Sequence, residues 1–168
     1  MSGSQPHAVV RRADPADAAA LARLLDAFNR EFGEPSPGVA VLARRLSTML
    51  AGPAAVALVV GDPAVGVALL SFRATVWWDG PTALLEELYV VPQRRNGGLG
   101  GALLEAAEAA ARDRGAELLE INVDGEDADA QRFYERHGYV SGNPGQSEPQ
   151  FYYSRELGRQ PSGPEARH

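Results

Sequence analysis

Cysteine and lysine are both missing from this 168-residue chain. Without cysteine there is no disulfide framework, no thiolate nucleophile and no sulfur-ligated metal site. Without lysine there is no side-chain amine to act as a base or to form a Schiff base, and all sixteen basic residues are arginine. The three histidines, His7, His137 and His168, are too scattered to give a metal-ligand spacing, so no metal is expected. No apolar run approaches the roughly 18 residues that span a bilayer. Residues 1–7 carry neither the basic region nor the apolar segment of an export signal. The expectation is a cytoplasmic protein without a membrane role. A net charge of −6 also argues against nucleic acid as a partner, since a phosphate backbone calls for an excess of basic side chains.

What is present fits a single domain over residues 8–157, with flexible termini at 1–7 and 158–168. A short strand is predicted over residues 9–12. A helix start follows, with Asp14 as N-cap, Pro15 at the first helical position and Asp17 near the positive end. Leu21, Leu24, Leu25, Phe28 and Phe32 recur at helical spacing, and residues 33–38 close that helix. A second helix is predicted over 39–50, then a hairpin of strands 54–60 and 64–74 around Gly61-Asp62-Pro63. The turn holding Trp77 and Trp78 leads into a strand over 83–91. After a glycine-rich turn come a helix over 99–114, a strand over 117–123 and a helix over 129–137. A strand beginning at Tyr139 and a last strand over 151–157 complete the series. Three consecutive strands followed by strand–helix–strand–helix predict an α/β (α+β) fold, a mixed sheet with helices on both faces.

The run from Val91 to Leu104 is the most informative segment. A β-prone stretch meets Pro92, then Arg94 and Arg95, then Asn96 and Gly97, Gly98, Gly100 and Gly101, and then a helical pattern. Strand, glycine turn and helix start together hold phosphate, because glycines let backbone N–H groups approach closely and the helix end adds partial positive charge. The arginines add full charge and paired donors. A nucleotide-hydrolase loop needs a lysine, and the dinucleotide fingerprint fails because Leu103 stands where its third glycine would be.

Arg95-Asn96-Gly97-Gly98-Leu99-Gly100 resembles the coenzyme A signature Q/R-x-x-G-x-G/A of the GCN5-related N-acetyltransferase (GNAT) superfamily. Asp127-Ala128-Asp129-Ala130-Gln131-Arg132-Phe133-Tyr134-Glu135-Arg136-His137-Gly138-Tyr139 is similar to the N-x-x-A-x-x-F-Y-E-x-x-G-F block of the same family. Both motifs stand in family order and spacing. Asn96 stands where glycine is usual, Gly97 where arginine or lysine is frequent, and Asp127 where asparagine is usual. The resemblance implies a mixed, mostly antiparallel central sheet with helices on both faces, and acetyl transfer from acetyl-CoA to an amine.

It also implies roles for particular residues. The backbone of Asn96, Gly97, Gly98, Leu99, Gly100 and Gly101, with Arg94 and Arg95, would hold the pyrophosphate, and Asp127 and Ala130 would contribute to the cofactor site. Leu88, Tyr89 and Val90 would pair with pantetheine like an added strand, the Leu88 N–H receiving the developing oxyanion. An alkyl amine has a pKa near ~10 and arrives protonated, so a base is needed. Glu86 aligns with the family's strand-borne base, and Glu87 follows it. A regular strand sends consecutive side chains to opposite faces, so only one of the two is expected in the cleft. Tyr134 falls on the family's general acid. Glu31, Glu34 and Asp124 would make the acceptor site acidic and favour a small cationic amine, polyamine- or aminoglycoside-like. The alternatives are a protein N-terminal or lysine acetyltransferase and an acyl-CoA-binding regulator without turnover. A homodimer is expected, with Phe151, Tyr152 and Tyr153 on an edge that wants a cover.

Overall fold

The computed structural model describes residues 9–142, 145 and 151–158. They belong to two compact units, Met1–Asp124 and Gly125–His168. The first contains β1 (Val10–Arg12), a 3₁₀ turn (Pro15–Asp17), α1 (Ala18–Glu31), α2 (Val39–Ala51), β2 (Ala55–Val60), β3 (Gly66–Arg73), β4 (Thr82–Val90), α3 (Leu99–Asp113) and β5 (Leu118–Ile121). The strands form one sheet in chain order, antiparallel throughout except for the parallel β4–β5 pair. A parallel pair needs a crossover connection, and α3 supplies it.

Both faces of this sheet are covered. Ala55, Ala57 and Val59 of β2, Val67 and Leu69 of β3, and Tyr89 of β4 share a core with Leu21, Leu24, Leu25 and Leu46 of α1 and α2. The alternate residues face α3; a Cβ on Gly66 would lie 3.0 Å from Leu103. Every residue of β2 is therefore buried, which is why it reads as an unbroken apolar run. Asp14 caps the first turn by accepting from the Ala16 N–H at 2.8 Å, and Asp17 accepts from the Asp14 N–H at 2.9 Å. A bidentate Arg11 holds the Asp17 carboxyl down to about 2. The turn before β4 meets the turn before β5 at two glycines. A Cβ on Gly80 would stand 1.9 Å from the Gly115 carbonyl oxygen, so only glycine allows that contact.

The second unit is built on α4 (Ala128–Arg136). The Asp127 carboxylate caps α4 by accepting from the Ala130 N–H at 2.9 Å, the task an asparagine oxygen would perform equally well. Two predicted strands are absent among the described residues. Tyr139 and Val140 follow the end of α4 without strand geometry, and residues 151–158 are exposed with no ladder assigned. Aromatic residues raise strand propensity, but Phe151-Tyr152-Tyr153 lacks the alternation that would bury one face. Of residues 142–149, between these two segments, only Gly142 and Gly145 lie within the described residues. The tails at 1–7 and 159–168 lie outside them.

Candidate active site

The centre of β4 is irregular. Leu70 opposes Leu85 and Leu69 opposes Glu87, so Glu86 is an extra residue, a β-bulge. This corrects the expectation that Glu86 and Glu87 face opposite ways. Leu84 opposes Ser71, which opposes core Ala55, while Glu87 opposes core Leu69. The bulge resets the alternation, so both carboxylates project on the α1–α2 side. Ser71 Oγ donates a hydrogen bond to Glu86 Oε1. Glu86 is exposed and Glu87 half-buried. Burial first, and the Glu86 charge second, push the Glu87 carboxyl above its ordinary range.

Beyond the bulge the sheet opens. Pairing of β4 with β5 covers Thr82 to Leu85 and stops there, so residues 86–90 have no assigned partner on that side among the described residues. The Val91 N–H donates to the Val65 carbonyl at 2.9 Å. By alternation along the ladder, Leu88 and Val90 turn their own N–H and C=O groups toward the open side. The Val90 carbonyl there accepts from Arg95 Nε at 2.9 Å.

The glycine loop continues from this edge through a 3₁₀ turn (Pro92–Arg94) to α3. Asn96 has φ 61° and Gly98 φ 81°. Nothing lies within 4 Å of the Cβ that Gly98 lacks, so the demand for glycine comes from the left-handed backbone and from whatever approaches from outside. Gly98 is the N-cap of the 15-residue α3 and offers no side-chain cap to the first-turn N–H groups. Those amides and the helix dipole form a cradle suited to an anion. Arg94, Arg95, Asn96, Gly97 and Gly98 are exposed, with Leu99, Gly100 and Gly101 half-buried behind them.

Two residues expected in different roles are bound to each other. Arg95 Nη1 and Nη2 reach Glu31 Oε1 and Oε2 at 2.7 and 2.8 Å. The Tyr89 hydroxyl donates to Glu31 Oε2 at 3.2 Å, and Phe28 stacks on the Tyr89 ring at 5.1 Å. Arg95 holds the Glu31 carboxyl below its usual range. Glu34 is exposed in the following loop. That loop is pinned to α1: Ser36 Oγ donates to the buried Asp26 carboxylate at 2.6 Å, and Asn29 Nδ2 donates to the Pro35 carbonyl at 2.9 Å. Asp124 is exposed at the end of the first unit. Trp77 is 84% exposed and Trp78 44%.

In the second unit Tyr134 is half-buried, its ring edge-to-face with Phe133 at 5.1 Å and Tyr139 at 5.8 Å. Asp127 and Ala130 are occupied with capping α4. Among the described residues no three or more His, Cys, Asp or Glu side chains gather as metal ligands. The sequence reading missed Ser71 and the phase change at Glu86.

The acetyltransferase (GNAT) family profile matches residues 21–139. A crystal structure from Arthrobacter sp. FB24, whose acetyltransferase name is itself provisional, is 54% identical with a TM-score of 0.84. The similarity covers 93% of this chain and 100% of that one. An uncharacterized N-acetyltransferase of Bacillus subtilis is 29% identical over 132 residues, 77% of this chain and 88% of the relative. The aminoalkylphosphonate N-acetyltransferase of Salmonella typhimurium is 46% identical over 55 residues, so this chain spans only 36% of that relative's length. The mixed sheet covered on both faces is the fold that the sequence resemblance implied. The chain belongs to the acetyltransferase (GNAT) family and is a GNAT-type N-acetyltransferase, of a family that takes acetyl-CoA as co-substrate.

Proposed function

We propose that this protein transfers the acetyl group of acetyl-CoA to the primary amine of a small cationic acceptor. The observation that carries this reading is the carboxylate pair on the β4 bulge, beside a stretch of β4 that has no partner strand on that side among the described residues. Acetyl-CoA supplies the activated thioester. On this reading the backbone of residues 96–101, with Arg94 beside it, receives the pyrophosphate, and Leu88 to Val90 pair with the pantetheine amides. The Leu88 N–H, on the open side, stabilises charge developing on the thioester oxygen. Glu87, with its raised affinity for protons, takes the proton of the incoming ammonium, and Glu86 holds the cation in place. Tyr134 gives a proton to the departing thiolate.

A small acceptor is supported by the loop after α1, which its hydrogen bonds to Asp26 and Asn29 pin to that helix. Its cationic character is supported by Glu86, Glu87 and Glu34; Glu31 contributes less, because Arg95 neutralises it. A cytoplasmic location and a homodimer complete the reading. The dimer rests on the aromatic stretch in which Phe151, Tyr152 and Tyr153 are 75%, 81% and 88% exposed, and light scattering at micromolar concentration checks it. The decisive experiment is turnover of acetyl-CoA against a panel of polyamines, aminoglycosides, aminoalkylphosphonates and lysine- or amino-terminal peptides. Preference for a small polycation supports the proposal, preference for a peptide replaces the acceptor, and binding without turnover on any amine points to a regulator.

A further inference from the structure

Glu31 is the last residue of α1. A carboxylate there faces the negative end of the helix dipole and weakens the helix. Its compensation lies 64 residues away, in both guanidinium arms of Arg95. Arg95 spends its Nε–H on the Val90 carbonyl as well, and its guanidinium carbon lies 5.5 Å from the centre of the Tyr89 ring. Tyr89 in turn bonds Glu31 and stacks on Phe28 of α1. Three of the five N–H donors of Arg95 are therefore committed inside the protein. The next residue, Asn96, is the first of the two left-handed residues of the glycine loop.

We infer that Glu31 and Arg95 form a strut fixing the glycine loop to the end of α1, so that Arg95 is a positioning residue for the cofactor amides and not a direct phosphate ligand. This deepens the proposed function and rests on acetyl-CoA binding at that loop. Holding Arg95 to Val90 and Glu31 fixes where the backbone leaves β4 and turns into Asn96. The amides of 96–101 then meet the pyrophosphate already ordered, and less entropy is lost on binding. The strut also joins the two substrates' territories, since Glu31 leads directly into the loop of residues 32–38.

The inference has a sign that plain electrostatics would reverse. If Arg95 were a phosphate ligand merely restrained by Glu31, Glu31→Gln would remove a negative charge, release the guanidinium and tighten coenzyme A binding. As a strut, Glu31→Gln loosens the loop and weakens binding by about tenfold, as for one lost charge-assisted hydrogen bond. The experiment measures the dissociation constant of coenzyme A by calorimetry for the full chain, Glu31→Gln, Arg95→Lys and Tyr89→Phe. Alongside it, hydrogen exchange of amides 96–101 is followed without ligand. Weaker binding with faster exchange in Glu31→Gln, and a smaller loss of the same sign in Tyr89→Phe, are expected. Equal or tighter binding in Glu31→Gln overturns the strut, as does a raised KM for the amine with coenzyme A affinity unchanged. If Glu31→Gln does not fold, Tyr89→Phe and Arg95→Lys decide by the same readouts, and parent-like values in both overturn it. A parent chain that does not bind coenzyme A overturns the functional reading itself, and the strut's role falls with it.

Discussion

Glu87 is half-buried beside Glu86, and both burial and the neighbouring charge hold its carboxyl above the ordinary range. The native state thus keeps this proton more tightly than the unfolded chain does. Stability is then lost as pH rises from the usual carboxylate range through the raised native value. Glu87→Gln removes that loss. The variant should melt above the parent at pH 7, with the gap closing near pH 4, as thermal melts at the two pH values will show. The same change removes the proton acceptor, and kcat/KM should fall by about 10²-fold or more. A variant that is both more stable and less active is the mark of a residue kept for chemistry. Tyr134 offers a second test at this scale. Tyr134→Phe keeps the ring contacts with Phe133 and Tyr139 and deletes only the hydroxyl. On the proposed role it should lower kcat by about 10²-fold, with coenzyme A affinity unchanged by calorimetry.

Among the elements, the loop of residues 32–38 is held less by its own sequence than by α1. Its hydrogen bonds run to Asp26 and Asn29, two polar side chains on that helix, and Asp26 also pairs with Arg30. Ser36→Ala cuts the bond to Asp26 and the one from the Gly38 N–H to Ser36 Oγ. The acceptor rim should loosen, raising the KM for the amine several-fold with little change for acetyl-CoA; initial-rate kinetics in both substrates will separate the two. The loop's punctuation was legible in Gly33, Pro35, Pro37 and Gly38, but the hook onto Asp26 was not. A buried acid on a helix face looks in sequence like any solvated one. Likewise Asp14, Pro15 and Asp17 spelled out the 3₁₀ turn that leads into α1, and Gly61-Asp62-Pro63 the hairpin between β2 and β3, because capping and turning are local chemistry. The β4 bulge and the Arg95–Glu31 pair depend on which residues meet across strands and elements. Even so, the doublets Leu84-Leu85 and Glu86-Glu87 break period-two alternation at one point, a trace that could have revealed the phase change. The opposite error, a strand expected at 151–157, came from reading aromatic content as a strand without asking for a face to bury.

For the whole molecule, a net charge of −6 with carboxylates gathered on one side of β4 creates a field that draws cations and repels anions. One substrate on the proposed reading is a polyanion and the other a polycation, so salt should act on them in different ways. Raising ionic strength from about 0.05 to 0.5 M shortens the Debye length several-fold. It should raise the KM of a multiply charged amine more than that of a monoamine, in steady-state kinetics with acetyl-CoA saturating. Equal sensitivity of the two amines would detach acceptor recognition from the acidic cleft.

Because Leu70–Leu85 and Leu69–Glu87 already flank Glu86 in continuous register, residue 86 is the one position of β4 that the ladder does not count. Shortening the chain by that single codon would leave an ordinary strand. A deletion, commonly more disruptive than a substitution in the middle of a sheet, should here be tolerated, with the melting temperature within about 4 °C of the parent. Acetyl transfer should nonetheless weaken, chiefly through a raised KM for the amine, because Glu87 keeps the proton-accepting role while the carboxylate that Ser71 holds beside it is gone. Inserting or removing one residue thus separates a plain sheet from one that grips its amine, and acceptor affinity in such a protein can change with strand length and no exchange of side chains at all.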